Sequence, residues 1–337
     1  MKTTHPIDFV IPWVDGNDPA WQAEKAKYSG KTGDSSATRF RDWGTLHYWF
    51  RGVEKFAPWV NKIHFITWGH LPEWLNTDHP KLNIVNHKDY IPEKYLPTFS
   101  SHTIELNMHR IEDLSEQFVY FNDDMFITRP VKETDFFRNE LPCDTALIKP
   151  LNMDCHVSSP MPRNTIRAEI NNMFVINHHF NKVRVLKKNI RKFFSPKYRK
   201  LLISTFLTLP YPDISGFYIH HLPTSFLKST FDKVWQDNPE VMDTTCEHKF
   251  RFNTDVNQWL VEWYQFCQGN FVPTSVNRGK CYHTGTHFDQ IINAISKQKY
   301  KMLCCNDSSY EATFVDDMQK IRKAFESILP DKCSFEK

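Results

Sequence analysis

Glycine is scarce in this chain, at only 10 of 337 residues. That count disfavours collagen-like chains, glycine-rich linkers and repeat barrels. The glycine-dependent motifs of several enzyme classes are also missing, since no G-x-x-x-x-G-K-[ST], no G-x-G-x-x-G and no G-x-S-x-G occurs. The sequence therefore disfavours phosphate-loop nucleotide hydrolysis, ordinary dinucleotide oxidoreduction and α/β-hydrolase chemistry.

The chain also lacks a surplus of one charge and a long apolar run. The 42 Lys and Arg residues nearly balance the 39 Asp and Glu residues, which argues against a nucleic-acid partner. No segment approaches the roughly 18 consecutive apolar residues that span a bilayer, and the N-terminal apolar run is too short for a signal peptide. The 8 cysteines form no C-x-x-C pair, which does not support a zinc ribbon. We therefore expect a cytoplasmic chain with reduced thiols.

Short apolar runs alternate with helical patterns in the first half of the chain. Such alternation is typical of a mostly parallel sheet covered by helices on both faces. Three segments follow from the pattern: an α/β core over residues 1–164, a mainly helical insertion over 165–270, and a return to the core with a last helix over 271–337. The predicted strands of the first half are residues 7–14, 63–67, 82–85 and 118–121.

The strongest local signal is the sequence FVYFNDDMF, in which an apolar run leads directly into Asn122, Asp123 and Asp124. Open α/β sheets bind ligands at the carboxyl ends of their strands. Adjacent carboxylates there suit a hard divalent cation that is shared with phosphate oxygens. The alternative is a simple turn, because Asn-Asp-Asp is a common turn composition.

The helix predicted just before this strand carries Glu105, His109 and Glu112 at helical spacing. These residues would share one stripe, in which Glu105 could serve as a base or a metal partner. A solvated helix face with a Glu–His pair is the alternative.

Weaker clusters lie in the second half of the chain. His220 and His221 form a pair that could contact phosphate or act as acid and base, and Arg251 offers a guanidinium suited to phosphate oxygens. The basic run at residues 182–192 is most simply a solvated helix face, with contact to an acidic membrane surface as the alternative.

Four sequence blocks, in order along the chain, resemble those of one known family. The first is IDFVIPWVDGNDPAW, and the long second block runs from RFRDWGTLHYWF through LPEWLN to SSHTIELNMHRIEDLSEQFVYFNDDMF. The third combines YIHHLPTSF with FRFNTDVNQW, and the fourth is LCCNDS, with Cys305 where leucine is usual. The chain thus resembles the Stealth family of sugar-phosphate transferases. That family includes bacterial capsule and exopolysaccharide phosphotransferases and the animal enzyme that adds GlcNAc-phosphate to lysosomal glycoproteins.

The resemblance implies a glycosyltransferase A-like nucleotide-sugar-binding core and a specific reaction. The donor would be a nucleotide-diphosphate sugar, and a hydroxyl of an acceptor glycan would attack the phosphorus nearer the sugar. A nucleoside monophosphate would leave, and the sugar C1–O bond would stay intact. Peripheral association with the inner face of the membrane is compatible with such a role, and the oligomeric state stays open.

The resemblance also assigns residues by motif position. It implies catalytic roles for Glu105, Asp124, His221 and Arg251, with either Glu105 or His221 taking the acceptor proton. Mg²⁺ or Mn²⁺ would bind Asp123, Asp124 and Asp307. The residues implied to bind substrate are Asp15, Gly16, Arg41, Asp42, Asn122 and Asn306.

Two other functions fit the same sequence. A metal-dependent glycosyltransferase of the same fold class would break the sugar–phosphate bond and release a nucleoside diphosphate. A non-catalytic carbohydrate-binding protein could stack sugar rings on some of the 10 tryptophans. The released nucleotide distinguishes the first alternative, and loss of Asp124 would not abolish binding in the second.

Overall fold

The computed structural model describes residues 4–30, 40–151 and 164–337. Eleven strands occur in these residues, in three sheets. Their bounds are β1 (Ile7–Pro12), β2 (Ile63–Thr67), β3 (Leu82–Asn86), β4 (Gln117–Tyr120), β5 (Met125–Ile127), β6 (Phe137–Arg138), β7 (Leu141–Asp144), β8 (Thr224–Leu227), β9 (Val272–Pro273), β10 (Gly279–His283) and β11 (Met302–Asn306).

The helices of the described residues are mostly short. They are α1 (Pro19–Tyr28), α2 (Leu46–Phe56), α3 (His87–Tyr90), α4 (Ser101–Leu106), α5 (Glu133–Phe136), α6 (Asn164–His179), α7 (Lys182–Lys188), α8 (Ile190–Phe193), α9 (Leu202–Leu207), α10 (Lys228–Asp237), α11 (Pro239–Glu247), α12 (Gln258–Gln268), α13 (Thr284–Ser296) and α14 (Phe314–Ile328). Short 3₁₀ helices lie at Glu93–Tyr95, Met108–Arg110, Pro196–Leu201 and Glu311–Thr313.

The main sheet has five strands in the order β3-β2-β1-β4-β8. The first four pair in parallel, and β8 pairs antiparallel with β4. Every residue of β2 and β4 is buried, which explains why these strands are continuous apolar runs rather than alternating ones. One hydrophobic cluster contains Trp49 of α2 and Phe325 of α14, and a second contains Trp263 of α12. The predicted α/β core is confirmed.

A second sheet, in the order β10-β11-β5, begins where the main sheet ends. The turn at residues 122–124 leads from β4 directly into β5, which pairs antiparallel with β11. In that register Cys304 lies opposite Met125. The chain segment at residues 302–307, nearly 180 residues further along, is thereby brought beside the Asn-Asp-Asp turn.

Helices dominate residues 164–268, as the sequence pattern predicts, but this segment also supplies β8 to the main sheet. Tyr120 pairs with Thr224, so the segment is built into the edge of the sheet. We propose that it is an insertion whose one strand anchors it to the core. None of the helices in the described ranges is long and apolar enough to cross a bilayer.

Candidate active site

A cavity of about 1040 Å³ lies at the carboxyl ends of the strands of the main sheet. Trp13 after β1, residues 122–124 after β4 and Asn306 at the end of β11 contribute to its wall. The cavity also gathers side chains that are far apart in the sequence. Among them are all four residues assigned catalytic roles by resemblance: Glu105, Asp124, His221 and Arg251.

Asp124 is held in one orientation by several contacts. Its Oδ2 atom accepts hydrogen bonds from the Cys304 thiol at 3.3 Å and from Asn306 Nδ2 at 3.1 Å. His221 Nε2 lies 3.7 Å from the same oxygen. Burial opposes ionisation of this carboxyl, but hydrogen bonding to His221, Asn306 and Cys304 lowers its pKa. The other oxygen, Oδ1, is buried and has no hydrogen-bond partner, so it is the atom left for a ligand.

His221 owes its position to the pairing of β8 with β4. The strand begins three residues later at Thr224, and His221 itself has φ +45°, a left-handed backbone that non-glycine residues adopt at a cost of about 1 kcal/mol or more. Burial disfavours the imidazolium, but the neighbouring Asp124 carboxylate raises the pKa of His221. This strained backbone conformation occurs at a residue whose imidazole lies beside the Asp124 carboxylate.

Three other carboxyl groups lie near Asp123. Burial, together with the charges of Asp124, Asp42 and Asp307, raises the pKa of Asp123 to about 7. Four carboxyl groups in one wall repel each other, and a divalent cation would relieve that repulsion. Carboxylate oxygens are ligands that Mg²⁺ and Mn²⁺ accept, and Asp124 Oδ1 has no other partner. The residues present therefore fit a hard divalent cation.

Glu105 is almost fully buried at the cavity wall. Tyr120 donates a hydrogen bond to its Oε1 atom at 3.0 Å, while Oε2 is buried and has no hydrogen-bond partner. The same hydroxyl lies 2.5 Å from Asn122 Oδ1, and this contact links Glu105 to the Asn-Asp-Asp turn. One oxygen of Glu105 is thus fixed and the other is available.

The predicted stripe of Glu105, His109 and Glu112 is wrong. Helix α4 ends at Leu106, where the Asn107 side chain donates to the Thr103 carbonyl, and a 3₁₀ turn follows. His109 instead stacks on Phe231 and is buried there, and Glu112 is exposed. The apolar spacing continued past the end of the helix because the 3₁₀ turn also packs into the core.

Arg251 reaches the cavity from the loop before α12. Its Nε and Nη2 atoms donate to the Ser101 hydroxyl at 3.1 and 2.5 Å. The loop is anchored by Asp255, which is fully buried and accepts from Phe252 N at 2.7 Å. Burial opposes ionisation of Asp255, but bonds to His102 and His248 lower its pKa.

Arg41 and Asp42 also line the cavity. Arg41 forms two hydrogen bonds to the Asp307 carboxylate, at 2.9 and 3.0 Å, and one to Glu311 at 3.2 Å. Asp42 accepts from Gly44 N, and burial raises the pKa of the Asp42 carboxyl. Asp307 therefore lies in the acidic wall with its carboxylate already bonded to an arginine.

Asp15 and Gly16 lie outside the cavity lining. The backbone N–H of Asp15 donates to His70 Nε2 at 2.8 Å. A Cβ atom on Gly16 would lie 1.9 Å from the Phe40 carbonyl oxygen, so this turn packs directly on the segment that carries Arg41. The structure gives the turn a supporting position behind Arg41 and Asp42.

Two features of the cavity have no counterpart in the sequence reasoning. His102 lines the cavity with its Nδ1 atom 2.9 Å from Asp255, which leaves Nε2 as the ring nitrogen available to a ligand. The Cys304 thiol contacts Asp124, and Cys281 lies opposite it on β10. The sequence offered one signal for His102, which lies three residues before Glu105 on the same predicted helix. The positions of the two cysteines could be found only from the register of the sheet.

Solved structures of similar shape include a galactosyltransferase, LgtC, in complex with donor and acceptor sugar analogs. The two chains share 8% identity, and the comparison covers 97% of this chain and 98% of that chain with a TM-score of 0.39.

Sequence relatives match the full length of the chain. A capsular polysaccharide phosphotransferase, WcwK, of Streptococcus pneumoniae is 42% identical, with 100% of both chains covered. An exopolysaccharide phosphotransferase, cps2G, of Lactiplantibacillus plantarum is 39% identical, with 100% of this chain and 98% of the relative covered. The family models for Stealth protein conserved regions 1 and 2 match residues 5–33 and 39–144. The second region includes the acidic turn and ends with β7 at Asp144, and the relatives extend the match over the rest of the cavity. The chain belongs to the Stealth family.

Proposed function

We propose that this protein transfers a sugar-1-phosphate from a nucleotide-diphosphate sugar to a hydroxyl of an acceptor glycan during synthesis of a capsular or exocellular polysaccharide. The full-length match to polysaccharide phosphotransferases carries this proposal. The cavity supports it, because an acidic wall faces His221 and Arg251, two side chains that suit phosphate oxygens.

The bond changes are those of a phosphodiester-forming transfer. The acceptor oxygen bonds to the phosphorus nearer the sugar, and the bond from that phosphorus to the bridging oxygen breaks. The bridging oxygen leaves with the nucleoside monophosphate, and the acceptor proton passes to a base on the protein. The sugar C1–O bond is untouched, so the anomeric configuration is retained.

We assign the proton to Glu105 rather than to His221. The Oε2 atom of Glu105 has no hydrogen-bond partner and lies at the cavity wall, as a general base requires. His221 is instead engaged with Asp124 and Asn306, and its raised pKa favours the cation. A cationic imidazole stabilises phosphate charge, which is also the role proposed for Arg251.

Asp123 and Asp124 would hold Mg²⁺ or Mn²⁺, with Asp307 as a further candidate that shares its carboxylate with Arg41. A bound divalent cation neutralises charge on the diphosphate. Asn122 and Asn306, together with Arg41 and Asp42, would bind the donor, supported by the turn at Asp15 and Gly16.

The acceptor proton assignment has a direct test. Glu105→Gln should lower kcat on a normal acceptor by roughly 10²–10⁴-fold, the usual contribution of a general base. An acceptor analogue with fluorine beside the reacting hydroxyl has a more acidic hydroxyl and needs a base less. The defect of Glu105→Gln should therefore shrink on that analogue, whereas the defect of His221→Gln should not. An equal defect on both acceptors would contradict the assignment to Glu105.

The overall reaction is tested by identifying the products. With a panel of nucleotide sugars and acceptor oligosaccharides, we expect mass spectrometry to detect a nucleoside monophosphate and a phosphate-linked glycan. Release of a nucleoside diphosphate would favour the glycosyltransferase alternative. Binding of glycan without any turnover, preserved in Asp124→Asn, would favour the non-catalytic one.

We further propose that the exterior of the helical segment makes peripheral contact with an anionic membrane. Large apolar side chains are exposed on and after α9, with Leu207 at 69% and Ile203 at 60% exposure. Basic residues of α7 and α8, including Lys187, Lys188 and Arg191, are exposed in the same segment. Leu201, directly before α9, lines the cavity, so a membrane here would lie near the cavity. Apolar side chains combined with cations are typical of membrane-surface binding.

Sedimentation with vesicles tests this contact. The protein should bind vesicles containing anionic lipid and not neutral ones, and Leu207→Ser with Phe206→Ser should weaken binding severalfold. Val315→Ser, a similarly exposed apolar side chain on α14, is the matched control. Equal binding to neutral vesicles, or no effect of the α9 substitutions, would refute the membrane contact.

A further inference from the structure

Three groups of the active site offer a ligand set different from that of the acidic wall. The Asp124 carboxylate, the His221 imidazole and the Cys304 thiol each offer a ligand atom, and these atoms all lie within 4.8 Å of one another. Two of the separations are 3.3 Å, from Asp124 Oδ2 to Cys304 Sγ, and 3.7 Å, from Asp124 Oδ2 to His221 Nε2. Tetrahedral Zn²⁺ places neighbouring O, N and S ligands at about 3.3–3.6 Å, given bond lengths of about 2.0–2.3 Å.

The chemistry of this set differs from that of the acidic wall. Mg²⁺ prefers oxygen ligands, whereas imidazole and thiolate select softer ions such as Zn²⁺. Cys281 lies opposite Cys304 in the β10–β11 register and lines the cavity, but it is not one of the three groups whose ligand atoms lie close together. The seven cysteines of the described residues are all free, so the thiols are available as ligands.

We infer that Asp124, His221 and Cys304 bind Zn²⁺ or a similarly soft divalent ion, and that this ion inhibits the enzyme. Binding would take Asp124 away from the hard cation and His221 away from the donor phosphates. The thiol deprotonates on binding, and its proton is released to solvent. The inhibition rests on the proposed function, but the binding of the ion does not.

Three protein ligands leave the fourth position of a tetrahedral site to water or substrate. Because the site shares Asp124 with the acidic wall, soft and hard ions should compete. An excess of Mg²⁺ should therefore weaken inhibition by Zn²⁺, and a soft-metal chelator should reverse it.

Cobalt provides a readout that does not depend on activity. Co²⁺ titrated into the reduced full chain should give a sulfur-to-metal charge-transfer band in the near ultraviolet, which Zn²⁺ then removes. Cys304→Ser should lose this band, while Cys333→Ser, a buried cysteine of another part of the core, should retain it. An unchanged band in Cys304→Ser, or none in the wild type, would overturn the site.

Inhibition is measured separately at fixed Mg²⁺. The Zn²⁺ concentration for half-inhibition, relative to each variant's own zinc-free rate, should rise by roughly tenfold or more in Cys304→Ser, the scale on which loss of a supporting group weakens metal affinity. No change in that concentration would overturn the regulatory role even if cobalt binds. If neither the wild type nor Cys304→Ser has phosphotransferase activity, the cobalt band still shows whether the site binds a metal ion. Failure of the proposed function and failure of the metal site are therefore distinguishable.

Discussion

The cavity wall buries polar side chains, whereas the outer surface of residues 182–211 exposes apolar ones. In the wall, Asp124 and Glu105 each carry a buried oxygen without a hydrogen-bond partner. On the outer surface, Leu207 and Phe206 are mostly exposed. Both arrangements cost free energy in the isolated chain, because buried polar atoms lose water and exposed apolar ones order it. We propose that each region has a partner outside the chain: ions and phosphates at the wall, and lipid at the surface.

The two regions also differ in how firmly they are held. Asp124 is fixed by contacts to Cys304 and Asn306, whose strand pairs with β5. Beneath the outer surface, Lys182 is buried and donates to the carbonyls of Thr208 and Tyr211. The basic run is therefore not simply a solvated face: Lys182 has a structural role, whereas Lys187, Lys188 and Arg191 are exposed.

The largest expected effect comes from the wall. Asp124→Asn should lower kcat by on the order of 10³-fold, because it removes a charge that orders both the cation and His221. The fold should remain, since the asparagine keeps an oxygen for Cys304 and Asn306. Enzyme kinetics with thermal unfolding checks this, with the 63%-exposed Asp113→Asn as control. Full activity of Asp124→Asn in EDTA-treated buffer would contradict the metal role.

A buried charge outside the wall should affect stability. Asp255→Asn should lower the free energy of unfolding by about 3 kcal/mol, because it removes a buried carboxylate that accepts hydrogen bonds from His102 and His248. The folded-state pKa of Asp255 is lowered, so its contribution is present above the ordinary carboxyl pKa of 3.8 and is lost as pH falls through the folded pKa. Urea unfolding of both proteins should show a constant difference above about pH 5. A difference that grows on acidification would contradict this assignment.

The Arg251→Lys substitution tests whether the positive charge at this position is sufficient or whether the planar guanidinium is also required. Lysine keeps the charge but not the planar guanidinium, so we expect a loss of about 2 kcal/mol in kcat/KM. Arg184→Lys, on exposed α7, is the matched control and should behave like the wild type. Unchanged kinetics of Arg251→Lys would place the guanidinium away from the phosphates.

The smallest effect is expected on the outer surface. Changing Lys187, Lys188 and Arg191 together to Gln should raise the KM for an anionic acceptor polymer a fewfold and leave nucleotide-sugar affinity unchanged. The effect should fade as salt is raised, since exposed charges are screened. The same change at exposed Lys320, Lys323 and Lys332 is the control. An unchanged KM at low salt would remove this surface from acceptor steering.

The sequence predicted which residues gather at the cavity better than it predicted their local geometry. The apolar run before Asn122 indicated a buried strand, and the carboxylates after it indicated the ligand edge of the sheet. The helix carrying Glu105 is shorter than the apolar spacing predicts, because a 3₁₀ turn after it continues the same spacing. His102 was overlooked because its partner, Asp255, is 153 residues away.

Residue type and local pattern alone determined the four parallel strands of the main sheet, the carboxylates that follow β4, and the family to which the motif blocks are similar. These properties depend on neighbours within a few residues, so backbone preference and apolar spacing are enough to predict them. Only the tertiary structure decided that Cys304 and Asn306 contact Asp124, that Glu105 keeps one oxygen without a partner, and that Arg41 bonds Asp307. Those facts depend on strand register and on packing between distant segments, since a shift of one residue in β11 would turn Cys304 to the other face of its sheet.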